Sequence, residues 1–223
     1  MEVKKTQTNL DELKTQISKI LQTEKPEELI SELYVFFRLL TPEESALLQL
    51  LINSPTPLSI WQIRRKFTID IAEKLDANLL SQIPIVKEEI EKKGLERDKQ
   101  TIISILRNIP EVKFEKIISF INSFNLENLI KETPSIFAPS SNLSKKPTKI
   151  FFYSTVKKIL EEFEELGIVS ARKLEGRKAD YIYSISPQFL KKCLFVIDFL
   201  NEKEKNKGLK QTEKELLYFL MGR

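Results

Sequence analysis

The sequence predicts a mainly α-helical chain that carries one small β-hairpin. Two observations support this. Apolar residues recur at three- and four-residue spacing through most of the 223 residues, which is the mark of helices with one buried face. Residues 168–185 break that pattern. They are β-prone and are divided at Gly176, so they read as two strands and a turn. Hydrophobic residues make up 41% of the chain and charged residues 30%, enough to fill a core and to keep its surface wet.

Residues 9–21 (NLDELKTQISKIL) form a short amphipathic helix with Leu10, Leu13, Ile17, Ile20 and Leu21 on one side. Glu24-Lys25-Pro26 breaks it, because proline lacks the N–H that a helix interior needs. Pro26 then opens a second helix, whose stripe is Leu29, Ile30, Leu33, Phe36, Phe37 and Leu40. Both helices are read as core, with packing on a second copy as the alternative. Thr41-Pro42-Glu43-Glu44 is a helix start, with threonine as N-cap, proline first and glutamate third. Ala46, Leu47, Leu50, Leu51 and Ile52 follow, and residues 53–57 (NSPTP) stop the helix. Residues 58–67 (LSIWQIRRKF) give another short helix, with Ser59 as cap and Ile60, Ile63 and Phe67 inward. Arg64, Arg65 and Lys66 make this a basic cluster, read as phosphate contacts, with pairing of Arg64 and Arg65 to nearby acids as the alternative. Trp61 reads as core rather than as a base-stacking platform.

Residues 68–147 read as helices over 71–80, 85–93, 97–108, 112–124 and 126–131, with stripes such as Ile102, Ile103, Ile105 and Leu106, then Phe114, Ile117, Ile118 and Ile121. The Pro- and Ser-rich segment PSIFAPSSNLSKKP reads as a loop or linker.

The most informative stretch is 148–187. Val156, Ile159, Leu160 and Phe163 share one helix face, and Leu166 extends it. Gly167 follows, suited to the left-handed conformation just past a helix end. The opposite face carries Ser154, Lys158, Glu161 and Glu165, with Tyr153 and Lys157 on its flanks. Charge along this stretch is ordered. Lys145, Lys146, Lys149, Lys157 and Lys158 come first with no acid between them, and Glu161, Glu162, Glu164 and Glu165 come last with no base. Exposed acids at a helix C-terminus oppose the macrodipole by roughly 0.3–1 kcal/mol each, so helix stability does not explain the order. A basic half that meets a polyanion does; a solvated face with unordered charge is the alternative. The hairpin adds Arg172, Lys173, Arg177 and Lys178 against the single acid Glu175, and Tyr181 to Ile185 form its returning strand. Ser186-Pro187 then starts a further helix.

The segments YSTVKKILEEFEELGIV and EGRKADYIYSISP resemble the recognition helix and wing of winged helix-turn-helix proteins, similar to archaeal and bacterial MarR-like and PadR-like regulators. LTPEESALLQLLINSPTPLSIWQIRRKF resembles the first half of the same fold: helix one, a short first strand at Pro57-Leu58-Ser59, and helix two. The resemblance implies a recognition helix in the major groove and a basic wing on an adjacent groove or on phosphates. It also implies phosphate contacts from Arg64, Arg65 and Lys66 on helix two.

About 80 residues separate the two halves, and three arrangements fit. The winged helix is split by a helical insertion; or residues 97–124 supply helices one and two for the C-terminal wing; or residues 41–95 form a helix-turn-helix of their own in a tandem array. The second is preferred because it needs only ordinary loop lengths, while the first keeps the better match at 41–67. The working division is an N-terminal helical region over 1–95, a helical middle over 96–134, a linker over 135–147, recognition helix and wing over 148–187, and C-terminal helices over 188–223.

Histidine is absent, which removes imidazole-based acid–base, nucleophilic and metal chemistry. Phosphate-cradling glycine motifs are missing too. No catalytic residue, metal ligand or cofactor is assigned, and an enzyme is not expected. Cys193, the one cysteine, lies in an apolar helical stretch and reads as a packed thiol. No apolar run reaches the roughly 18 residues that span a bilayer, and the N-terminus lacks a signal-peptide core. A cytoplasmic protein is expected, with no membrane partner.

The net charge is +4, and its clustering matters more than its size. The expected function is sequence-specific binding of double-stranded DNA, as a transcriptional regulator. Lys149, Tyr153, Ser154, Lys157 and Lys158 are assigned to the helix, Arg172, Lys173, Arg177 and Lys178 to the wing, and Arg64, Arg65 and Lys66 to helix two. The C-terminal stretch is apolar on more than one side, through Leu190, Leu194, Phe195, Ile197, Phe199 and Leu200, and a last helix carries Leu216, Leu217, Phe219, Leu220 and Met221. A homodimer is expected from this surplus; the alternative is that both helices cover the monomer core. The alternative function is a winged-helix interaction module within a replication or transcription assembly.

Overall fold

The structure, a computed structural model, describes residues 7–73, 75–123, 153–174 and 181–222. The helix expected at 126–131 and the linker at 135–147 lie outside them. In chain order the described elements are α1 (Gln7–Gln22), α2 (Pro26–Leu39), α3 (Pro42–Ile52), β1 (Leu58–Ser59), α4 (Ile60–Ala72), α5 (Ala77–Leu80), α6 (Pro84–Lys93), α7 (Lys99–Asn108), α8 (Glu111–Ser123), α9 (Tyr153–Glu165), β2 (Val169–Lys173), β3 (Tyr181–Ile185), α10 (Pro187–Lys207) and α11 (Gln211–Leu220). The chain is mainly helical, and its described residues include a small antiparallel sheet of strand order β1-β3-β2. Among the described residues, no helix is long and apolar enough to cross a membrane.

The chain forms two compact units. The first contains the described residues of 1–59 and 157–223, the second those of 60–138 and 147–156. This corrects the working division. The region 1–95 is cut after Ser59, and its first part shares a unit with the hairpin and the C-terminal helices. The reason is where apolar side chains find partners. In unit one, Phe36 of α2 packs edge-on to Phe189 of α10, with ring centroids 5.8 Å apart, and Phe37 lies 4.4 Å from Phe219 of α11. Leu13, Leu29, Leu33 and Leu216 are fully buried beside them. The stripes of α1 and α2 are therefore core of this unit, and α11 is core as well.

Local signals act as the sequence predicts. Thr41 and Glu44 form a reciprocal cap on α3: the Thr41 backbone N–H donates to Glu44 Oε2 at 2.8 Å and the Glu44 N–H donates to Thr41 Oγ1 at 3.3 Å. Two orphan donors of the first turn are satisfied at once. At the end of α9, Gly167 adopts φ +71°. Its N–H donates to the Glu164 carbonyl and that of Ile168 to the Phe163 carbonyl, both at 2.9 Å. Ile168 and Phe163 are fully buried, completing the hydrophobic contact of a Schellman end.

The sheet contains a pairing that the preferred arrangement does not include. Leu58 of β1 faces Tyr183 and Ser59 faces Ile182, while β2 pairs with β3 from Val169↔Ile185 to Lys173↔Tyr181. A free hairpin edge leaves backbone donors and acceptors unpaired, and β1 occupies that edge. Leu58, Tyr183, Val169 and Ile185 are buried on the inner side, where α3 packs on β3.

Unit two is built on its own core. Ile102 and Leu106 of α7, Phe114, Ile117 and Ile118 of α8, and Val86 of α6 are fully buried together, with Trp61 of α4 packed against them. The stripes of α7 and α8 are thus satisfied by α4–α6. The helix expected over 71–80 is interrupted: α4 ends at Ala72, and Asp76 caps α5 by accepting from the Asn78 N–H at 2.7 Å.

Candidate nucleic-acid interface

The candidate cations divide by what their side chains meet. α9 buries Val156, Ile159, Leu160 and Phe163 and turns Ser154, Lys157 and Lys158 to solvent. Tyr153 is 49% exposed. The first turn of α9, which holds Tyr153 and Ser154, is grouped with unit two and the rest with unit one. Lys157 reaches Glu161 one turn on, at 3.5 Å, an exposed pair of the kind worth a few tenths of a kcal/mol. Lys158 has no ion-pair or hydrogen-bond partner among the described residues. On β2, Arg172 and Lys173 are exposed and have no side-chain partner among the described residues. Lys149, Arg177 and Lys178 lie outside the described residues.

The basic cluster of α4 is different, and two of its three assignments are corrected. Arg64 is 2% exposed, and both its terminal nitrogens donate to the Glu115 carboxylate of α8, Nη2 to Oε2 at 2.7 Å. That guanidinium holds the Glu115 carboxyl below its ordinary range, against the opposing effect of burial. A buried, bidentately held arginine cannot present itself to a phosphate. Arg65 lies over Trp61 and Phe114, with its guanidinium carbon 4.9 and 5.5 Å from the two ring centroids. It donates to the Arg107 carbonyl at 3.0 Å and to the Ile109 carbonyl, which ties down the carbonyl-rich end of α7. Both arginines are structural members of unit two, as the acid-pairing alternative has it for Arg64. Lys66 is half-buried.

The late acids of α9 also have a local explanation. Lys14 of α1 donates to Glu165 at 2.7 Å, and Glu161 takes Lys157. Charge order along α9 is therefore set in part by contacts within unit one. Sequence reasoning missed Lys14, since nothing local to residue 14 distinguishes it from the other lysines of a solvated helix face.

Cys193 is fully buried in α10, and burial pushes its thiol well above the ordinary range; a thiolate nucleophile is disfavoured there. The chain matches no family model, no curated protein and no solved structure.

Proposed function

We propose that the chain binds double-stranded DNA through α9 and the β2–β3 hairpin, as a winged helix interrupted by a helical insertion between α4 and α9. The order α3, β1, α4, then α9, β2 and β3 after the insertion, with β1 paired to β3, is the order that reading requires. The observation that carries the reading is the fate of the cations. Arg64 and Arg65 are consumed by a carboxylate, carbonyls and aromatic rings. Lys158, Arg172 and Lys173 stay exposed, without a partner among the described residues, on the helix and strand that a winged helix offers to a duplex. Exposed cations on such elements supply the phosphate contacts that set register and affinity, and on this reading Ser154 and Tyr153, in the first turn of α9, make base-edge and phosphate contacts. Transcriptional regulation in the cytoplasm is the role that fits.

Paired charge reversals test the proposal. Lys158→Glu combined with Arg172→Glu abolishes duplex binding on this reading, whereas Arg65→Gln leaves it in place wherever the variant folds. Unchanged duplex binding by the first variant contradicts the proposal. The alternative, an interaction module in a larger assembly, draws on the exposed Leu194 and Phe195 of α10; it predicts no duplex binding by the wild-type chain at any salt concentration.

A further inference from the structure

α10 is more apolar than one buried face requires. Phe189, Cys193, Val196 and Leu200 are fully buried and account for its packing in unit one. On the other side, Leu194 is 49% and Phe195 45% exposed, neighbours at the middle of a 21-residue helix. Lys191 stands one turn before them and Asp198 one turn after, both exposed. Neither makes an ion pair or side-chain hydrogen bond among the described residues. At 3.6 residues per turn these four side chains fall within an arc of about 100°.

This face is its own complement. Suppose two copies of α10 cross antiparallel about a two-fold axis passing between Leu194 and Phe195. Leu194 of one copy then meets Phe195 of the other, and Lys191 meets Asp198, each contact occurring twice. Gln188 and Asn201 face each other in the same register. An isologous interface demands this kind of self-complementarity: an apolar centre with opposite charges at equal distances on either side. A heterologous partner gives no reason for the spacing to be symmetric.

We infer that the exposed face of α10 is a homodimer interface, with α10 packed antiparallel against α10 of a second copy and Lys191 paired to Asp198 across the two-fold axis. The inference is independent of DNA binding and is tested without it. It commits the expected dimer to one surface and one register.

Sedimentation velocity of the full chain over a range of concentrations gives the test. The wild type dimerises. Lys191→Glu sets an acid against Asp198 twice per dimer and weakens association about tenfold or more. Asp198→Lys does the same by opposing two lysines. Combining the two substitutions restores opposite charges in the same register, and the dimer with them. Far-UV circular dichroism confirms that each variant is folded, as expected for exposed positions. A monomer at every concentration overturns the inference, and is also the result if another segment of the same chain covers this face. A dimer indifferent to Lys191→Glu overturns it, as does a loss that the combined substitution fails to repair.

Discussion

Leu58 faces Tyr183 across the β1–β3 ladder, and both side chains are buried against the same side of the sheet. This pairing joins the first third of the chain to the hairpin and gives unit one its sheet. Leu58 is 3% exposed, so truncating it removes contacts that the two-residue strand cannot replace. Leu58→Ala is expected to destabilise the chain by about 2 kcal/mol or more, read from urea denaturation followed by circular dichroism. A change of a few tenths would mean that β1 is dispensable.

Arg64 and Glu115 make the complementary case in unit two. Glu115→Gln leaves a buried guanidinium facing a neutral amide, at a cost of about 2 kcal/mol, because one-sided loss of a buried pair is severe but the carboxylate is half-exposed and screened. Trp61, the one tryptophan, lies beside Phe114 and Arg65 in this unit. Its fluorescence reports the loss directly, while duplex affinity in the folded variant is expected to stay within about twofold.

Gly167→Ala is expected to cost about 1–2 kcal/mol. A Cβ there meets nothing within 4 Å, so the cost is backbone strain at φ +71° rather than a clash. Thermal denaturation of Gly167→Ala against Gly167→Asn separates the two causes, since asparagine tolerates the left-handed region better while being larger.

Two carboxyls predict the acid limb of stability. Burial works to raise Glu213, but Lys203 at 2.6 Å and the Lys210 backbone N–H outweigh it, and the net shift is downward. Glu115 is held down by Arg64. With folded values below unfolded ones, these groups contribute fully above the ordinary carboxylate range, near ~4.3, and lose that contribution as pH falls through their depressed folded values. Urea midpoints are therefore expected to fall on acidification below that range, and to fall less steeply in Lys203→Met.

What the sequence reveals depends on the range of the interaction. The α3 cap is legible because Thr41 and Glu44 are three residues apart, and the end of α9 because Gly167 announces it. The stripes of α1, α2, α7 and α8 are legible because burial imposes a period. The partners of those stripes are not. Phe36 and Phe37 carry no mark saying that Phe189 and Phe219 will meet them, and β3 carries none naming Leu58. The candidate site divides in the same way. Lys158, Arg172 and Lys173 look in the sequence much like Arg64 and Arg65; only burial against Glu115 and over Trp61 separates a structural arginine from an available one.

The salt dependence of duplex binding tests the central claim most directly. Fluorescence anisotropy with a random-sequence duplex, repeated from low to near-physiological salt, gives the affinity at each concentration. Each phosphate neutralised adds about −0.9 to the slope of log affinity against log salt. Engagement of Lys158, Arg172 and Lys173 alone therefore predicts a slope near −3, and the remaining cations of α9 and the hairpin a steeper one. Binding that weakens along such a slope is the expected result. Absence of binding at the lowest salt, or an affinity indifferent to salt, contradicts a DNA surface on α9 and the hairpin.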